Sequence, residues 1–297
     1  MQKLVLTGAA GKLGSYLREP LSKMCDVLIT TDIVKNIENV AINETYAQAD
    51  LANMAEIEPL LEGADMVVHF GALVHWCIGA LVHWCIGALV DEAPFEQILG
   101  PNFIGAYNIW EAAHRHKLRR VVYASSIHAV GMYPKTEAID INVPHRPDTF
   151  YGLAKCFAED LGRMYWEKRG LESVCMRILS CAQVTNPRAV GSWLSYDDLV
   201  RLVQHAIDTP ITGFSIVYGV SDNDRAPVDN SGARHLGFRP KDNAEKFAEE
   251  IYSNSSPLDP KKPEHYLHGG PFAGIPLGES ALTALNLNKS DTGKSSK

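Results

Sequence analysis

Short apolar runs alternate with amphipathic stretches along most of this chain. The runs have the length of buried strands, and the stretches between them carry apolar residues at helical spacing. This alternation predicts a parallel sheet with helices on both faces. The predicted strands are Leu4 to Thr7, Asp26 to Thr31, Tyr46 to Ala49, Met66 to Phe70, Arg120 to Ala124 and Ser173 to Ile178.

The same pattern predicts the helices and the domain limits. Helices are expected to begin near Gly11, Met54, Phe95 and Phe150. Three later elements are expected to form a small cap over the carboxyl edge of the sheet: a helix from Tyr196 to Ile207, a strand from Phe214 to Tyr218 and a helix from Asp242 to Tyr252. Residues 1–285 are predicted to form one domain with cap elements mainly from 180–275, and the Ser- and Lys-rich residues 286–297 a disordered tail.

Composition and charge narrow the possible partners. The chain has 297 residues, 46% of them apolar and 21% charged, so it can bury a full core. A net charge of -7 argues against nucleic acid, because no basic stripe is present to neutralise phosphates. No signal peptide or membrane-length apolar run is evident, so no membrane association is expected. Six cysteines without paired spacing favour a reducing compartment, and we expect a cytoplasmic location.

One segment interrupts the alternation. Residues 71–78, Gly-Ala-Leu-Val-His-Trp-Cys-Ile, recur at 79–86, and 87–90 begin a third copy. We interpret residues 71–90 as an anomalous tandem-repeat insertion from a duplication or a sequence error, because eight residues are too few for a solenoid unit. The alternative is a metal site, whose nitrogen and sulfur ligands would be His75, Cys77, His83 and Cys85. A Cys separated from a His by one residue is not a usual zinc spacing, so no metal is predicted.

Three glycines follow the first strand at dinucleotide-binding spacing. Gly8 allows a tight turn, Gly11 lets the backbone approach a pyrophosphate, and Gly14 lets helix and strand pack closely. Lys12 and Leu13 lie at the same helix N-terminus and are predicted to contact the cofactor as well. The chain is therefore predicted to be an α/β protein, with a Rossmann-type doubly wound parallel sheet and a small C-terminal substrate cap.

Residues after the next strands indicate which dinucleotide binds. Asp32 ends the second strand, where a carboxylate accepts hydrogen bonds from ribose hydroxyls and repels a 2′-phosphate, so NAD is favoured over NADP. Asp50 and Leu51 are placed to meet the adenine, although capping a helix before Ala52 is an equally good interpretation of Asp50. Gly71, after the fourth strand, is also predicted to border the cofactor.

A tyrosine and a lysine one helical turn apart supply candidate chemistry. Tyr151 can remove a hydroxyl proton while hydride leaves the carbon, provided that Lys155 and a positive nicotinamide ring lower the pKa of the phenol. Ser126, at the end of the fifth strand, is expected to hold the reacting oxygen. Asn102 is a candidate for a water relay behind Lys155, and capping or packing of its own helix is an equally good interpretation.

These motifs resemble those of the extended short-chain dehydrogenases/reductases. The matching residues are Thr7-Gly8-x-x-Gly11-x-x-Gly14, Ser125-Ser126 and Tyr151-x-x-x-Lys155. Longer blocks are similar to the uronate dehydrogenases, a narrower group within that family: residues 94–99, 102–108, 146–157, 177–181, 192–198 and 269–272. The resemblance spans nearly the whole chain outside the repeat and the tail.

The resemblance implies an activity and a set of substrate contacts. The implied reaction is oxidation of glucuronate or galacturonate by NAD at the anomeric hydroxyl, giving an aldarolactone, in a homo-oligomer. Tyr151 would be the base, and Lys155 would tune it and anchor the nicotinamide ribose. The implied contacts to this small-molecule sugar acid are Ser126, Ile127, His128, Ser180 and Arg188, with Arg188 clamping the carboxylate.

Two departures from the group bear on the substrate site. Ile127 stands where the group has Asn, and Val74, or its copy Val90, stands where the group has Ser. Two polar contacts to a polyhydroxylated sugar are therefore expected to be lost. Alternative functions are a nucleotide-sugar epimerase or dehydratase, an NAD-binding protein impaired by the repeat, and a non-catalytic NAD sensor.

Overall fold

The computed structural model describes residues 1–73, 75–76, 91–92 and 94–277. Its strands are β1 (Lys3–Thr7), β2 (Val27–Asp32), β3 (Glu44–Gln48), β4 (Met66–His69), β5 (His75–Trp76), β6 (Asp91–Glu92), β7 (Arg120–Ser126), β8 (Glu172–Ile178) and β9 (Phe214–Gly219). Its α-helices are α1 (Lys12–Ser22), α2 (Met54–Leu61), α3 (Phe95–Ile98), α4 (Gly105–Arg115), α5 (Phe150–Arg169), α6 (Pro187–Ser192), α7 (Tyr196–Asp208), α8 (Ala248–Ser253), α9 (Pro263–Tyr266) and α10 (Pro271–Gly274). A π-helical segment, Leu99–Ile104, links α3 to α4, and 3₁₀ turns cover Ile127–Val130, Ser231–Leu236 and Ala244–Phe247.

Seven of these strands form one parallel sheet in the order β3-β2-β1-β4-β7-β8-β9. From β1 the chain first adds strands on one side and then, from β4 onward, on the other. In such a doubly wound sheet the crevice for ligands lies at the carboxyl ends of the strands where the direction changes, here β1 and β4. The predicted fold class is therefore confirmed.

Alternate residues of the strands face two separate cores, as the pleat requires. Leu4 and Leu6 of β1 pack on the face covered by α1 and α7. Val5 of β1 and Val67 of β4 pack on the opposite face, against α2, α4 and α5. The two cores hold the carboxyl edge of the sheet rigid, and the predicted site residues lie at that edge.

The predicted composition of the cap was partly wrong. β9 is the seventh strand of the main sheet, where Ser173 of β8 pairs with Phe214, and α7 packs on the sheet beside α1. Five of the six residues of β9 are buried, and a strand buried on both faces belongs inside a covered sheet. The helix predicted from Asp242 to Tyr252 is divided into the 3₁₀ turn Ala244–Phe247 and α8. The cap consists of α6, this divided segment, α9 and α10.

The longest described helix, α5, carries the predicted tyrosine and lysine. Its N-cap is Thr149, whose side chain accepts a hydrogen bond from the amide of Gly152 (2.9 Å), so Tyr151 lies in the first turn. Gly170 ends the helix with a left-handed φ of 71°. In the described residues no helix is both long and apolar enough to cross a membrane.

Glu159 of α5 is a buried anion that ties α5 to the sheet. Its carboxylate accepts hydrogen bonds from Arg177 (2.8 Å), His145 (2.8 Å) and Ser125. Burial acts to raise the pKa of Glu159, but the hydrogen bond from His145 and the charge of Arg177 hold the pKa below its usual value. The network therefore keeps a negative charge in the core, in contact with Ser125 of β7.

Replacing this anion leaves a buried cation without its partner. We expect Glu159→Gln to lower the free energy of unfolding by about 3 kcal/mol, because Arg177 stays charged and buried. The matched control is Glu167→Gln, at an exposed position of the same helix, which should change it by less than about 0.5 kcal/mol. Urea denaturation followed by circular dichroism measures both. Equal stability of the two variants would contradict the assigned role of Glu159.

Candidate active site

The glycine turn after β1 is held by close backbone contacts. Gly8 has a φ of 74°, and a Cβ there would lie 2.6 Å from the amide nitrogen of Gly71. A Cβ on Gly14 would overlap with the carbonyl group of Gly8. The turn, the start of α1 and the loop after β4 therefore pack at a distance that side chains would not allow.

Gly11 is the N-cap of α1 and leaves the helix N-terminus without a side-chain cap. Lys12 and Leu13 follow in the first helical turn, where amide groups have no partner within the helix. Leu13 packs on the core, and the ammonium of Lys12 lies 6.0 Å from the ring centroid of Tyr196. Any contact of these two residues with a pyrophosphate would therefore come from their backbone amides.

A cavity of about 520 Å³ adjoins this turn at the switch point of the sheet. It contains most of the predicted cofactor residues: Gly8, Gly11, Asp32, Asp50, Leu51 and Gly71. The glycine turn supplies the close backbone approach that a pyrophosphate needs, and the cavity beside it is large enough for a nucleoside. The residues present therefore fit a dinucleotide.

The two carboxylates of this cavity are held by backbone amides. Asp32 accepts hydrogen bonds from Ala10 (3.0 Å) and Ile33 (2.7 Å), so its carboxylate is fixed beside the glycine turn. Asp50 accepts from the amide of Ala52 (2.9 Å) in a turn. The N-cap of α2 is Asn53 and not Asp50, which corrects the capping interpretation.

Asn102 fixes the loop that follows β4. Its side chain accepts a hydrogen bond from the amide of Leu73 (2.7 Å) and donates one to the carbonyl oxygen of the same residue (2.8 Å). Asn102 lies in the π-helical segment, an irregularity that is frequent at functional sites. Both ends of the amide therefore hold the loop, and the water relay stays a prediction.

Ser126, Tyr151 and Lys155 converge at the carboxyl end of β7. The hydroxyl of Ser126 hydrogen-bonds the phenol of Tyr151 and also accepts from the amide of His128 (3.2 Å). The ammonium of Lys155 lies 5.0 Å from the ring centroid of Tyr151 and donates to the carbonyl oxygen of Ala124 (2.7 Å). Three of the four predicted catalytic side chains are therefore neighbours, whereas Asn102 holds the loop after β4.

Burial controls how Tyr151 and Lys155 ionise. Burial raises the pKa of Tyr151, and the hydrogen bond with Ser126 only partly opposes this rise. Burial also lowers the pKa of Lys155 to about 7, against the opposing charge of Glu159. The expectation that Lys155 and a positive nicotinamide ring together lower the pKa of the phenol stays a prediction.

His128 is oriented by a residue that the sequence did not single out. Its Nδ1 lies 2.8 Å from one oxygen and 3.0 Å from the other oxygen of Asp148, whose side chain is fully buried. Because an ionised carboxylate only accepts hydrogen bonds, Nδ1 carries the proton and Nε2 is the remaining acceptor. The imidazole lies edge-on to Tyr151 and Phe272, with ring centroids 6.0 and 5.4 Å away.

Two glycines make room for the carboxylate of Asp148. A Cβ on Gly131 or on Gly269 would overlap with that carboxylate. Gly131 follows the 3₁₀ turn after β7, and Gly269 lies in the cap, so Asp148 joins the two. The available sequence signal was the position of Asp148 three residues before Tyr151, together with the pair Gly269-Gly270.

A second cavity, of about 620 Å³, is bordered by His128, Phe272 and Arg188. His128 lines this cavity and also contacts Tyr151, so the cavity adjoins the predicted base. Arg188, from α6, donates through Nη2 to the carbonyl oxygen of His268 (2.8 Å), and its buried Nε has no partner. Burial lowers the pKa of Arg188, and the charge of Asp148 opposes this effect. Arg188 therefore brings a buried positive charge to the border of this cavity.

The two other predicted substrate contacts are Ile127 and Ser180. Ile127 is buried to 1% exposure in an apolar cluster with Leu179 and Tyr218 and is not among the residues that line the cavity, so its contact with the substrate stays a prediction. Ser180 bridges to Trp193 beside the cavity but is not among the residues that line it. Val74, Val90 and the four side chains of the alternative metal site lie outside the described residues. Among those that are described, no group of three or more candidate ligands could hold a metal ion.

These features define a class of protein. A Rossmann-type sheet, a glycine turn at its switch point and a Ser–Tyr–Lys set at the same edge are the parts of a nicotinamide-dependent short-chain dehydrogenase/reductase. Known proteins support this class. A profile of the NAD dependent epimerase/dehydratase family matches residues 4–182.

Uronate dehydrogenases are among the similar proteins. The enzyme of Pseudomonas putida is 40% identical over 272 residues, which are 91% of this chain and 95% of that protein. The crystal structure of uronate dehydrogenase from Agrobacterium tumefaciens matches with a TM-score of 0.83 at 40% identity, covering 93% of this chain and 98% of that chain. A mutant of it complexed with NAD matches with a TM-score of 0.83 at 39% identity and the same coverage. The chain belongs to the NAD dependent epimerase/dehydratase family, as its motifs predicted.

The contact between Asp148 and His128 predicts a tautomer. In Asp148→Asn the side-chain amide can donate to Nδ1, so we expect the proton of His128 to move to Nε2 in a large share of the molecules. Nitrogen NMR of the imidazole distinguishes the two tautomers. Asp222→Asn, at an exposed position, is the control and should leave His128 unchanged. An unchanged tautomer in Asp148→Asn would show that the carboxylate does not orient the ring.

Proposed function

We propose that this protein oxidises a hexuronic acid, glucuronate or galacturonate, at its anomeric hydroxyl, with NAD as the hydride acceptor and an aldarolactone as the product. The observation that carries this proposal is the cavity of about 620 Å³, which adjoins Tyr151 through His128 and is lined by the buried cation Arg188. A site with a base at one side and a buried cation at another suits a sugar that bears both a reactive hydroxyl and a carboxylate.

The residues of the site have complementary roles in this reaction. The chemistry that bound NAD supplies is acceptance of the hydride from the anomeric carbon. Tyr151 takes the proton of the anomeric hydroxyl, and Ser126 holds the same oxygen by a hydrogen bond. Nε2 of His128 accepts from a neighbouring sugar hydroxyl, because Asp148 keeps the proton on Nδ1. Arg188 binds the carboxylate and so fixes which end of the sugar faces Tyr151.

The cavity beside the glycine turn supports NAD rather than NADP. The carboxylate of Asp32 is fixed by two backbone amides at the edge of this cavity. A 2′-phosphate would be repelled by that charge, whereas ribose hydroxyls can donate to it. The similar mutant enzyme from Agrobacterium tumefaciens that is complexed with NAD gives further support.

The direct test is to follow NADH formation by the purified full chain on a panel of sugars. We expect turnover with glucuronate and galacturonate, and little with glucose and galactose, because only the acids fill the cation site. Calorimetry with NAD alone, run in parallel, separates failure to bind the cofactor from failure to react. Binding of NAD without turnover on any uronate would contradict the proposal.

Tyr151→Phe tests the base directly. Loss of the phenol oxygen should lower kcat on the uronates by about a thousandfold, because it removes the general base. Affinity for NAD, measured by calorimetry, should be retained because the ring still packs in place. The matched control is Tyr252→Phe, an exposed phenol in the cap, which should leave kcat unchanged. Near-normal turnover by Tyr151→Phe would refute Tyr151 as the base.

A second candidate is an NAD-binding protein that the repeat makes inactive. Its support is that Leu73, which lines the cofactor cavity, lies inside the first copy of the repeat. Deletion of residues 71–86 joins Phe70 to an identical Gly-Ala-Leu-Val at 87–90. We therefore expect the shortened chain to bind NAD as the full chain does. Turnover by the shortened chain alone would favour this candidate, and equal turnover by both would eliminate it.

We also propose that the protein forms a homo-oligomer. Packed helices α4 and α5 expose apolar side chains from 37% to 50%: Tyr107, Leu153, Phe157 and Met164. A second copy of the chain would remove this apolar face from water. Light scattering of the purified full chain tests this, and a monomeric mass would contradict it.

The cysteines support a reducing, cytoplasmic location, which we propose as well. Among the described residues Cys25, Cys156, Cys175 and Cys181 carry free thiols. Burial raises the pKa of Cys156 to about 12, so this thiol stays protonated and inert. Recovery of the native protein in a cytoplasmic cell fraction would support the location, and recovery outside it would contradict it.

A further inference from the structure

Lys135 is a second cation in the cavity that contains Arg188. Both residues line the volume of about 620 Å³ beside His128. Lys135 lies in a Tyr-Pro-Lys-Thr loop, which carries no recognisable sequence motif. In the structure Lys135 is half-buried, and backbone contacts hold its loop in place.

One segment of the cap fixes both cations. The amide of Lys135 donates to the carbonyl oxygen of Tyr266 (2.7 Å), and Pro134 forms an antiparallel bridge with Leu267. The guanidinium of Arg188 donates to the carbonyl oxygen of His268, the next residue of the segment (2.8 Å). The loop that carries Lys135 and the side chain of Arg188 are therefore both held against the same short segment, residues 266–268.

Several donors of the side chains around this cavity lack partners among the described residues. In the described part of the chain, the ammonium of Lys135 makes no hydrogen bond or ion pair. Nε of Arg188 and Nε2 of His268 are buried without partners. Glu264 lines the same cavity, and among the described residues no ion pair joins it to either cation. The charge of Asp148 acts on Arg188, but the carboxylate of Asp148 is hydrogen-bonded to His128. An anionic ligand in the cavity would reduce the repulsion between Lys135 and Arg188.

We propose that Lys135 and Arg188 together bind the acidic substituent at C6 of the sugar, and that Lys135 thereby selects a sugar acid over a neutral sugar. This inference rests on the proposed function, because that function places the sugar in this cavity. Arg188 offers a planar donor, whereas Lys135 offers a compact charge that can move a short distance to meet the anion. The substituent can be a carboxylate or a phosphate ester, and the test distinguishes the two.

Ionisation of Lys135 supplies an independent readout. Burial and the neighbouring charge of Arg188 lower the pKa of Lys135 to about 8. A neutral amine no longer attracts an anion, so binding of the acid should weaken as the pH rises through about 8. The pKa of His268 is lowered to about 4 by burial, so His268 does not titrate in this range. The other ionisable groups around Lys135 are His128, Asp148, Arg188, Glu264 and His265.

The experiment compares Lys135→Met and Lys135→Arg in the full chain, with Lys168→Met as an exposed control. The ligands are galacturonate, its uncharged methyl ester and glucose 6-phosphate. We expect Lys135→Met to raise KM for galacturonate about tenfold, with kcat nearly unchanged and KM for the ester unaffected. Lys135→Arg should restore KM and remove the weakening of binding near pH 8.

Calorimetric binding of the same ligands keeps this inference separate from the proposed function. Binding of galacturonate that depends on Lys135, without turnover, would support the inference and refute the function. Tighter binding of glucose 6-phosphate than of galacturonate, also dependent on Lys135, would assign the site to phosphate esters. An equal effect of Lys135→Met on the acid and the ester, or no binding of either acid to the wild-type chain, would overturn the inference.

Discussion

The buried carboxylate of Asp148 connects the parts of the site. It accepts the hydrogen bond from His128, and it is packed so tightly that neither Gly131 nor Gly269 could carry a side chain. Asp148 precedes α5, which carries Tyr151, so Tyr151, His128 and the cap segment of Gly269 are positioned around one carboxylate. A buried carboxylate without a partner is costly, so these parts are expected to stay together or separate together.

Burial, more than neighbouring charge, sets the chemistry at the base. It raises the pKa of Tyr151 and lowers the pKa of Lys155 to about 7. The phenol is therefore protonated at neutral pH, and the role of a base that we propose for it requires additional positive charge nearby to lower its pKa. A Tyr151 that was ionised in the absence of ligands would place an unpaired anion in the core, which the fold avoids.

The sequence predicted the sheet edge well because the chemistry there is local. The glycine turn after β1 and the Tyr–Lys pair on α5 are each recognised from residues only a few positions apart in the sequence. The topology of a parallel sheet then brings the two motifs to the same edge. The composition of the cap was harder to predict from the sequence. Whether β9 or a short helix belongs to the sheet or to the cap depends on which distant residues it packs against. Ile127 was assigned to the substrate by position, but its apolar side chain lies in the core at 1% exposure. Asp148 and Lys135 were missed because their roles depend on partners in a distant cap segment.

Extra residues in the loop that follows β4 need not change the geometry of Ser126, Tyr151 and Lys155. Asn102 holds Leu73 by two hydrogen bonds, and His75 pairs with Glu92 and Trp76 with Asp91, so the chain enters and leaves this region at neighbouring positions. Lengthening a loop whose ends are already fixed costs little free energy, because closure entropy grows only with the logarithm of loop length. A sixteen-residue duplication can therefore be tolerated by the fold. Its effect on function depends on access to the cavities at the sheet edge and not on the geometry of Ser126, Tyr151 and Lys155, which β7 and α5 set independently.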